Sequence, residues 1–336
     1  MLYFHHPSSL AHDPSVLSPE HPDSPGRIGA IEAAMDEAVW LDCEVREAPS
    51  ASEAELLLVH DESLVRSIEG LCAAGGGQID EDTYVGATSY EAALHAAGGA
   101  CAMVQALGGN DRAGFCGLRP AGHHAERSRA MGFCLFNNVA IAAELAIRRL
   151  GVGKVMIIDW DVHHGNGTAE IFRRRSDVLF ASIHQQGLYP GTGSISDVGS
   201  GDGTGFTINI PVPRGSDEEV WISVLEHLIV PAGIEYDPDL VLISAGFDAH
   251  RDDPLGECRL ETSSFAQLAC HVRDFAAQVG APLGAVLEGG YALSALAQSV
   301  VATVAALGGA GAAESIAPDP IVTPRAAAHI GHYWEL

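Results

Sequence analysis

Four short apolar runs, Val155–Ile158, Val178–Ile183, Leu240–Ser244 and Ala285–Leu287, constrain this chain more than any other feature. None alternates apolar with polar residues, so each behaves as a strand covered on both faces, as in a parallel sheet. Longer stretches with helical spacing surround them: Ile28–Val39, Tyr90–Leu107, Asn138–Leu150, Asp217–Ile229, Ser263–Val279 and Leu293–Ala306. Right-handed crossovers between such strands predict a three-layer α/β/α sandwich with a central, mostly parallel sheet. No repeat or long linker divides the chain. Gly308–Pro324 is its only Gly/Ala/Pro-rich stretch, and too little follows for a second domain, so residues 1–336 are expected to form one.

Polar clusters stand just beyond the runs. The first run leads into Asp159-Trp160-Asp161-Val162-His163-His164-Gly165-Asn166-Gly167, the second into His184, the third into Ala245-Gly246-Phe247-Asp248-Ala249-His250, and the fourth into Glu288-Gly289-Gly290-Tyr291. A fifth cluster, Arg119-Pro120-Ala121-Gly122-His123-His124, follows the short run Gly114–Leu118. Strands of an open parallel sheet end on one common edge, and ligands bind there, so these clusters should share one site. In extended chain Asp161 and His163 point the same way, and Asp248 arrives from another strand end. Two carboxylates and an imidazole, with a fourth position left for water, describe a catalytic zinc site. A lone Asp-x-His is more often a capped turn; the cluster around it and the matching Asp248 favour the metal. His123 and His124 can act as base and acid beside it. The same reasoning leaves the pair His5-His6, outside any cluster, as structural. The phenol of Tyr291, after two glycines, can stabilise an oxyanion.

Together, R-P-A-G-H-H-A, M-G-F-C-L-F-N-N, D-W-D-V-H-H-G-N-G-T, Y-P-G-T-G, S-A-G-F-D-A-H, D-P-L-G and L-E-G-G-Y resemble, in order and spacing, the histone deacetylases and their bacterial relatives. The resemblance covers roughly residues 18–306, with about 307–336 as a C-terminal extension, and His21-Pro22-Asp23-Ser24-Pro25-Gly26-Arg27 is similar to the family's entry segment. It implies the arginase–deacetylase fold and a zinc-dependent amidohydrolase that removes acetyl groups. It implies Asp161, His163 and Asp248 as zinc ligands, one ion per chain. His124 would be the general base of the tandem pair, with Asp159 orienting His123 and Asn166 orienting His124. Tyr291 would polarise the carbonyl. Phe133 and Tyr189 would wall a narrow channel, Gly132 would offer its carbonyl to substrate, and Leu255 would stand at the mouth. A structural potassium ion is implied at Asp159, Asp161, His163, Ser182 and Ile183, and a second monovalent site near Phe172, Arg175, Val178 and Phe206. Arg27 would line the acetate exit.

Departures refine the expectation. Asn166 matches the second-class and bacterial pattern, where first-class members carry Asp. Tyr189 replaces the usual Phe, and Tyr84 stands in the region where some members grip the peptide backbone with an acidic residue. Ureohydrolases of the same fold bridge two manganese ions through carboxylates at the positions held here by Gly165 and His250, so a single zinc suits this chain better.

Charge bears on the substrate. Lys and Arg total 18 against 44 Asp and Glu, a formal charge of −26. That excludes phosphate-backbone binding of nucleic acid and suits a cationic substrate, although an acidic surface also serves solubility alone. The expected substrate is an acetylated lysine peptide. The alternative is a small acetylated amine such as an acetylpolyamine, disfavoured by the short Gly75–Ser89 segment and by Leu255 where polyamine-selective relatives carry Glu. A catalytically silent acetyl-amine binder is the third reading. The sole lysine, Lys154, begins an apolar run and is no Schiff-base candidate. Seven cysteines without a C-x-x-C pair, no signal-like N-terminus and no bilayer-length apolar run point to reduced thiols in a cytoplasmic protein that engages no membrane. Assembly into a homo-oligomer is compatible with all of this.

Overall fold

The structure, a computed structural model, describes residues 1–107 and 112–336. The described residues form ten strands: β1 (Leu2–His5), β2 (Glu44–Glu47), β3 (Gly76–Gln78), β4 (Tyr84–Gly86), β5 (Ala113–Cys116), β6 (Val155–Asp159), β7 (Val178–Gln185), β8 (Thr207–Val212), β9 (Leu240–Ala245) and β10 (Leu283–Leu287). Eight make a sheet in the order β2-β1-β5-β10-β9-β6-β7-β8, every pairing parallel, while β3 and β4 form a separate antiparallel hairpin. The last strand of the chain therefore lies at the middle of the sheet.

The apolar runs are fully buried because their two faces feed two cores. Met156 and Ile158 of β6 and Val241 and Ile243 of β9 pack with the helices Gly26–Glu37, Thr262–Val279 and Leu293–Leu307. Val155, Ile157, Leu240 and Leu242 face the helices Glu62–Ala73, Ser89–Ala106 and Asn138–Leu150. The three-layer arrangement follows from that alternation. Local chemistry sets the helix ends. Asn137 accepts the Ala140 N–H at the start of Asn138–Leu150, Arg148 and Arg149 sit in its last turn, and Gly151 ends it at φ +76°. Glu261 and Ser264 form a reciprocal capping box for Thr262–Val279.

Three expectations are corrected in detail. The helix foreseen over Ile28–Val39 begins at Gly26 and stops at Glu37, and Val39–Asp42 turns left-handed with φ of 50–56°. The helix foreseen over Asp217–Ile229 extends from Glu218 to Tyr236, with a wide π turn over Leu225–Ile229 just before Pro231. That turn makes room for a ring that lacks an N–H to donate. His184 does not follow β7 but lies within it. Among the described residues no helix is long and apolar enough to cross a membrane, and none of the seven cysteines is paired.

Candidate active site

Strand register levels the ends that matter: Asp159 of β6 pairs with Ser182 of β7 and Ser244 of β9, and Leu287 of β10 pairs with Ala245. The loops leaving β5, β6, β9 and β10 consequently meet over one edge.

Asp161, His163 and Asp248 come together there, their donor atoms within 4.8 Å of one another. His163 Nδ1 lies 3.0 Å from Asp161 Oδ1 and 3.1 Å from Asp248 Oδ2. Both carboxylates are completely buried, and two buried anions side by side require a cation. Burial and then Asp161 push the Asp248 carboxyl up to about 7. Against its own burial, the His163 imidazole is held up at about 10 by Asp248 and Asp161. A proton on His163 balances the pair, and a divalent cation bound by the same three groups would displace it. Backbone closes the cradle: a Cβ at Gly246 would fall 2.1 Å from Asp161 Oδ2, and one at Gly289 2.1 Å from Asp248 Oδ2. The trio suits a small cation with one nitrogen and two oxygen donors.

Neither extra carboxylate of a binuclear centre has a place. A Cβ at Gly165 would already lie 2.2 Å from Asp159 Oδ2. His250 is turned aside, its Nδ1 accepting the Asp252 N–H and its ring parallel to Phe265.

The tandem histidines stand beside the trio, ring centroids 4.0 Å apart, in opposite electrostatic settings. His123 Nδ1 is 3.0 Å from Asp159 Oδ2 and its Nε2 is 3.8 Å from Asp161 Oδ1. Burial works against its charge, but Asp159 and Asp161 prevail and lift it to about 10. His124 is paired at Nδ1 with neutral Asn166 Oδ1, 2.7 Å away. Burial, reinforced by His123 and His163, holds it well below the usual imidazole range. The surroundings favour the charged form of one ring and the neutral form of its neighbour, the kind of contrast that can divide acid from base duty.

Tyr291 faces the trio from the loop after β10. Burial raises its phenol well above the usual range, with Arg27 pulling the other way, so it stays an O–H donor. Asp253 Oδ2 accepts the N–H groups of Tyr291 (2.6 Å) and Ala292 (3.1 Å), and its Oδ1 accepts that of Leu255 (3.0 Å). Arg27 donates to the carbonyls of Glu288 and Gly290, its guanidinium carbon 4.8 Å from the Tyr291 ring centroid.

A cavity of about 210 Å³ leads from the surface to His163, His124 and Tyr291. Phe133 and Tyr189 line it, as do Gly132, Leu188 and Leu255. The ring of Phe133 stands edge-on to Tyr291 at 5.8 Å, and that of Tyr189 edge-on to His124 at 5.1 Å. Every group expected at the zinc, the acid–base pair and the channel thus gathers in one place.

Of the residues expected around monovalent cations, Asp159, Asp161 and His163 belong to the site just described. Ser182 lies level with Asp159, its Oγ 2.9 Å from His184 Nδ1, and Ile183 is buried beside it. At the second group, the Arg175 guanidinium is committed to Asp177 at 2.7 Å and to Glu144. Lys154, as expected, takes no part: its Nζ donates to the Tyr236 carbonyl. His5 and His6 are remote as well, His6 stacked on His95 at 3.5 Å.

Sequence reasoning missed three contributors. Asp82, not Tyr84, lines the mouth of the cavity; Tyr84 sits on β4, its hydroxyl accepting from Gln78. Asp253 was visible only as part of D-P-L-G, and nothing in that motif says that its carboxylate anchors Tyr291. Glu288, buried and pushed up to about 7 by that burial, accepts the N–H groups of Gly122 and His123 through Oε2.

Comparison with known proteins agrees with this geometry. Residues 21–307 match the model of the histone deacetylase domain. A probable deacetylase of Methanothermobacter thermautotrophicus is 42% identical over 313 residues, covering 92% of this chain and 91% of that protein. The histone deacetylase-like amidohydrolase of Pseudomonas aeruginosa is 38% identical over 275 residues, covering 81% of this chain and 72% of its own length. The crystal structure of the HDA15 HD domain superposes with a TM-score of 0.90 at 33% identity, over 99% of this chain and 94% of that one. The converging strand ends and the family match lead to one assignment: this chain belongs to the histone deacetylase family, whose members are deacetylases and amidohydrolases.

Proposed function

We propose that the protein is a zinc-dependent deacetylase hydrolysing the N-acetyl amide of acetyl-lysine in peptides or proteins and releasing acetate. The observation that carries this reading is the meeting of Asp161, His163 and Asp248 with neutral His124 and the Tyr291 phenol at the floor of one narrow cavity. Zinc bound by those three groups supplies Lewis acidity, polarising the amide carbonyl and lowering the pKa of an adjacent water. The chain does the rest. His124, its Nδ1 hydrogen directed to Asn166, presents the Nε2 lone pair and takes a proton from the water as its oxygen attacks the amide carbon. The Tyr291 hydroxyl donates to the carbonyl oxygen as negative charge develops there. His123, held charged by Asp159, offsets that charge. The C–N bond then breaks, a histidine of the pair returns a proton to the departing amine, and acetate remains.

Phe133 and Tyr189 admit an unbranched acyl-amine arm and Gly132 offers its carbonyl to it, while Leu255 makes an apolar lip. Asp82 at the mouth can accept from the backbone amides of a peptide. A structural potassium ion held by Asp159, Asp161, His163, Ser182 and Ile183 belongs to the same proposal, as does a cytoplasmic setting, in keeping with the unpaired cysteines. Zinc-loaded protein assayed against acetyl-lysine peptide, N-acetylspermidine, N-acetylputrescine and longer acyl-lysines tests it. Acetyl-lysine peptide should be turned over fastest. Faster turnover of the polyamines would replace the substrate, and no hydrolysis of any would make the protein a binder only.

A further inference from the structure

Asn166 is an amide where an aspartate would do the same work more simply, and the difference creates a requirement. An aspartate accepts through both oxygens; an amide accepts at one end and donates at the other. Only one orientation keeps His124 a base. Oδ1 must face His124 Nδ1, so that Nδ1 carries the hydrogen and Nε2 the lone pair. Turned over, Nδ2 would face Nδ1 and the hydrogen would move to Nε2, where it blocks proton uptake.

We propose that Glu126 is a positioning residue for His124, acting through Asn166; this rests on the deacetylase reading above. Glu126 Oε1 lies 2.9 Å from Asn166 Nδ2, whose other neighbours are the His124 carbonyl at 3.5 Å and Met131 Sδ at 3.4 Å. All three can only accept. Reversing the amide would set its oxygen against a carboxylate, a carbonyl and a thioether, while Oδ1 in place lies 2.7 Å from His124 Nδ1. The carboxylate is the strongest of the three acceptors. A water in its place could accept or donate and would hold neither orientation. Glu126 follows His124 by two residues, so one loop supplies both the base and the outer anchor of its tautomer. The side chain is only partly buried and borders a second cleft of about 340 Å³ beside the channel, together with Arg129, Met131 and Tyr189. It can be replaced there without opening the core.

The test compares zinc-loaded E126M, E126Q, N166D and E126M/N166D by steady-state kinetics on acetyl-lysine peptide and by 15N NMR of the His124 imidazole without substrate. E126M should lower kcat about tenfold, a fraction of what a general base contributes, leave KM within about twofold, and move His124 from the Nδ1–H to the Nε2–H tautomer. E126Q, which like water could accept from or donate to Asn166, should fall between the parent and E126M in both kcat and tautomer. In the N166D background E126M should cost nothing or raise activity, because it removes a carboxylate facing another carboxylate. An unchanged tautomer and kcat in E126M would overturn the proposal, as would the same tenfold loss with and without N166D, which marks a merely structural role. If the parent hydrolyses no acetylated amine yet E126M shifts the tautomer, the deacetylase reading fails and the positioning role stands.

Discussion

Gly132→Ala puts the channel wall and the base into conflict by an amount that can be worked out. Gly132 sits at φ +58° between the rings of His124 and Tyr189. An alanine Cβ would lie 2.5 Å from His124 Cδ2 and 2.8 Å from Tyr189 Cε1, whereas ordinary contact begins near 3.4 Å. The His124 ring must retreat by about 0.9 Å, and a misplacement of about that size costs on the order of a hundredfold in rate. Its 2.7 Å hydrogen bond to Asn166 would be stretched or broken. The backbone penalty is separate and small, roughly 1–2 kcal/mol for a non-glycine residue in left-handed conformation. G132A should therefore lose about two orders of magnitude in kcat on acetyl-lysine peptide while urea unfolding shows a loss of roughly 2–5 kcal/mol, the backbone penalty plus about 1–3 kcal/mol for crowding the two rings. Bound zinc, measured by atomic emission, should be unchanged, since Gly132 meets none of the three donors. Full kcat in a folded, zinc-loaded G132A would refute the placement of His124 as base against this wall.

Other expectations follow from the same geometry. Tyr291→Phe deletes one oxygen from the site and should lower kcat by about a hundredfold to a thousandfold with little change in KM or melting temperature; activity near that of the parent would remove the phenol from the chemistry. Zinc binding to metal-free protein near pH 7 should release between one and two protons, because His163 is held protonated by Asp248 and Asp161 and the Asp248 carboxyl is itself pushed up to about 7. Affinity should then rise with pH, and a calorimetric enthalpy indifferent to the buffer's ionisation heat would contradict the ligand set. His60, buried with Nε2 accepting the Asn137 N–H, is pushed down by that burial to about 4. The unfolded chain therefore binds a proton more readily between about pH 6.5 and 4. Stability is fully present above that window and falls by about 3 kcal/mol as pH drops through it, with His184, also lowered to about 4 by burial, adding in the same direction. Urea midpoints in His60→Gln should lose about one proton's worth of this pH slope; an unaltered slope would sink the assignment.

What the sequence revealed and what it hid divide along physical lines. β6, β7, β9 and β10 were legible because strands buried on both faces leave few polar residues in the run, here only Ser182 and Ser244. β2 and β8 close the two sheet edges and gave no such signal. Glu44–Glu47 is mostly exposed and carries three charged residues, and Thr207–Val212 contains Pro211, which only an edge strand tolerates well. β1 has just four residues and ends on the first histidine of the pair. At the site, ligands and acid–base residues were readable because their spacing on strand ends is local. Asp82, Asp253, Glu288 and Glu126 act across distances of chain that no periodicity encodes. Asp253 reaches Tyr291 38 residues away, and Glu288 reaches Gly122 across 166.

The central place of β10 has a consequence for how the molecule comes into being. Until Leu283–Leu287 has left the ribosome, β2-β1-β5 and β9-β6-β7-β8 can exist only as two half-sheets, with β5 and β9 each presenting a bare edge. Such edges invite wrong partners, and long-range parallel pairing is slow to form. The strand that closes the gap is followed at once by Glu288 and Tyr291, the brace of the histidine loop and the phenol. Birth of the complete sheet and birth of the complete catalyst are therefore one late event. A nascent chain stopped short of residue 291 should be inert and prone to aggregate, and chaperones should hold this protein until β10 and the loop after it have emerged.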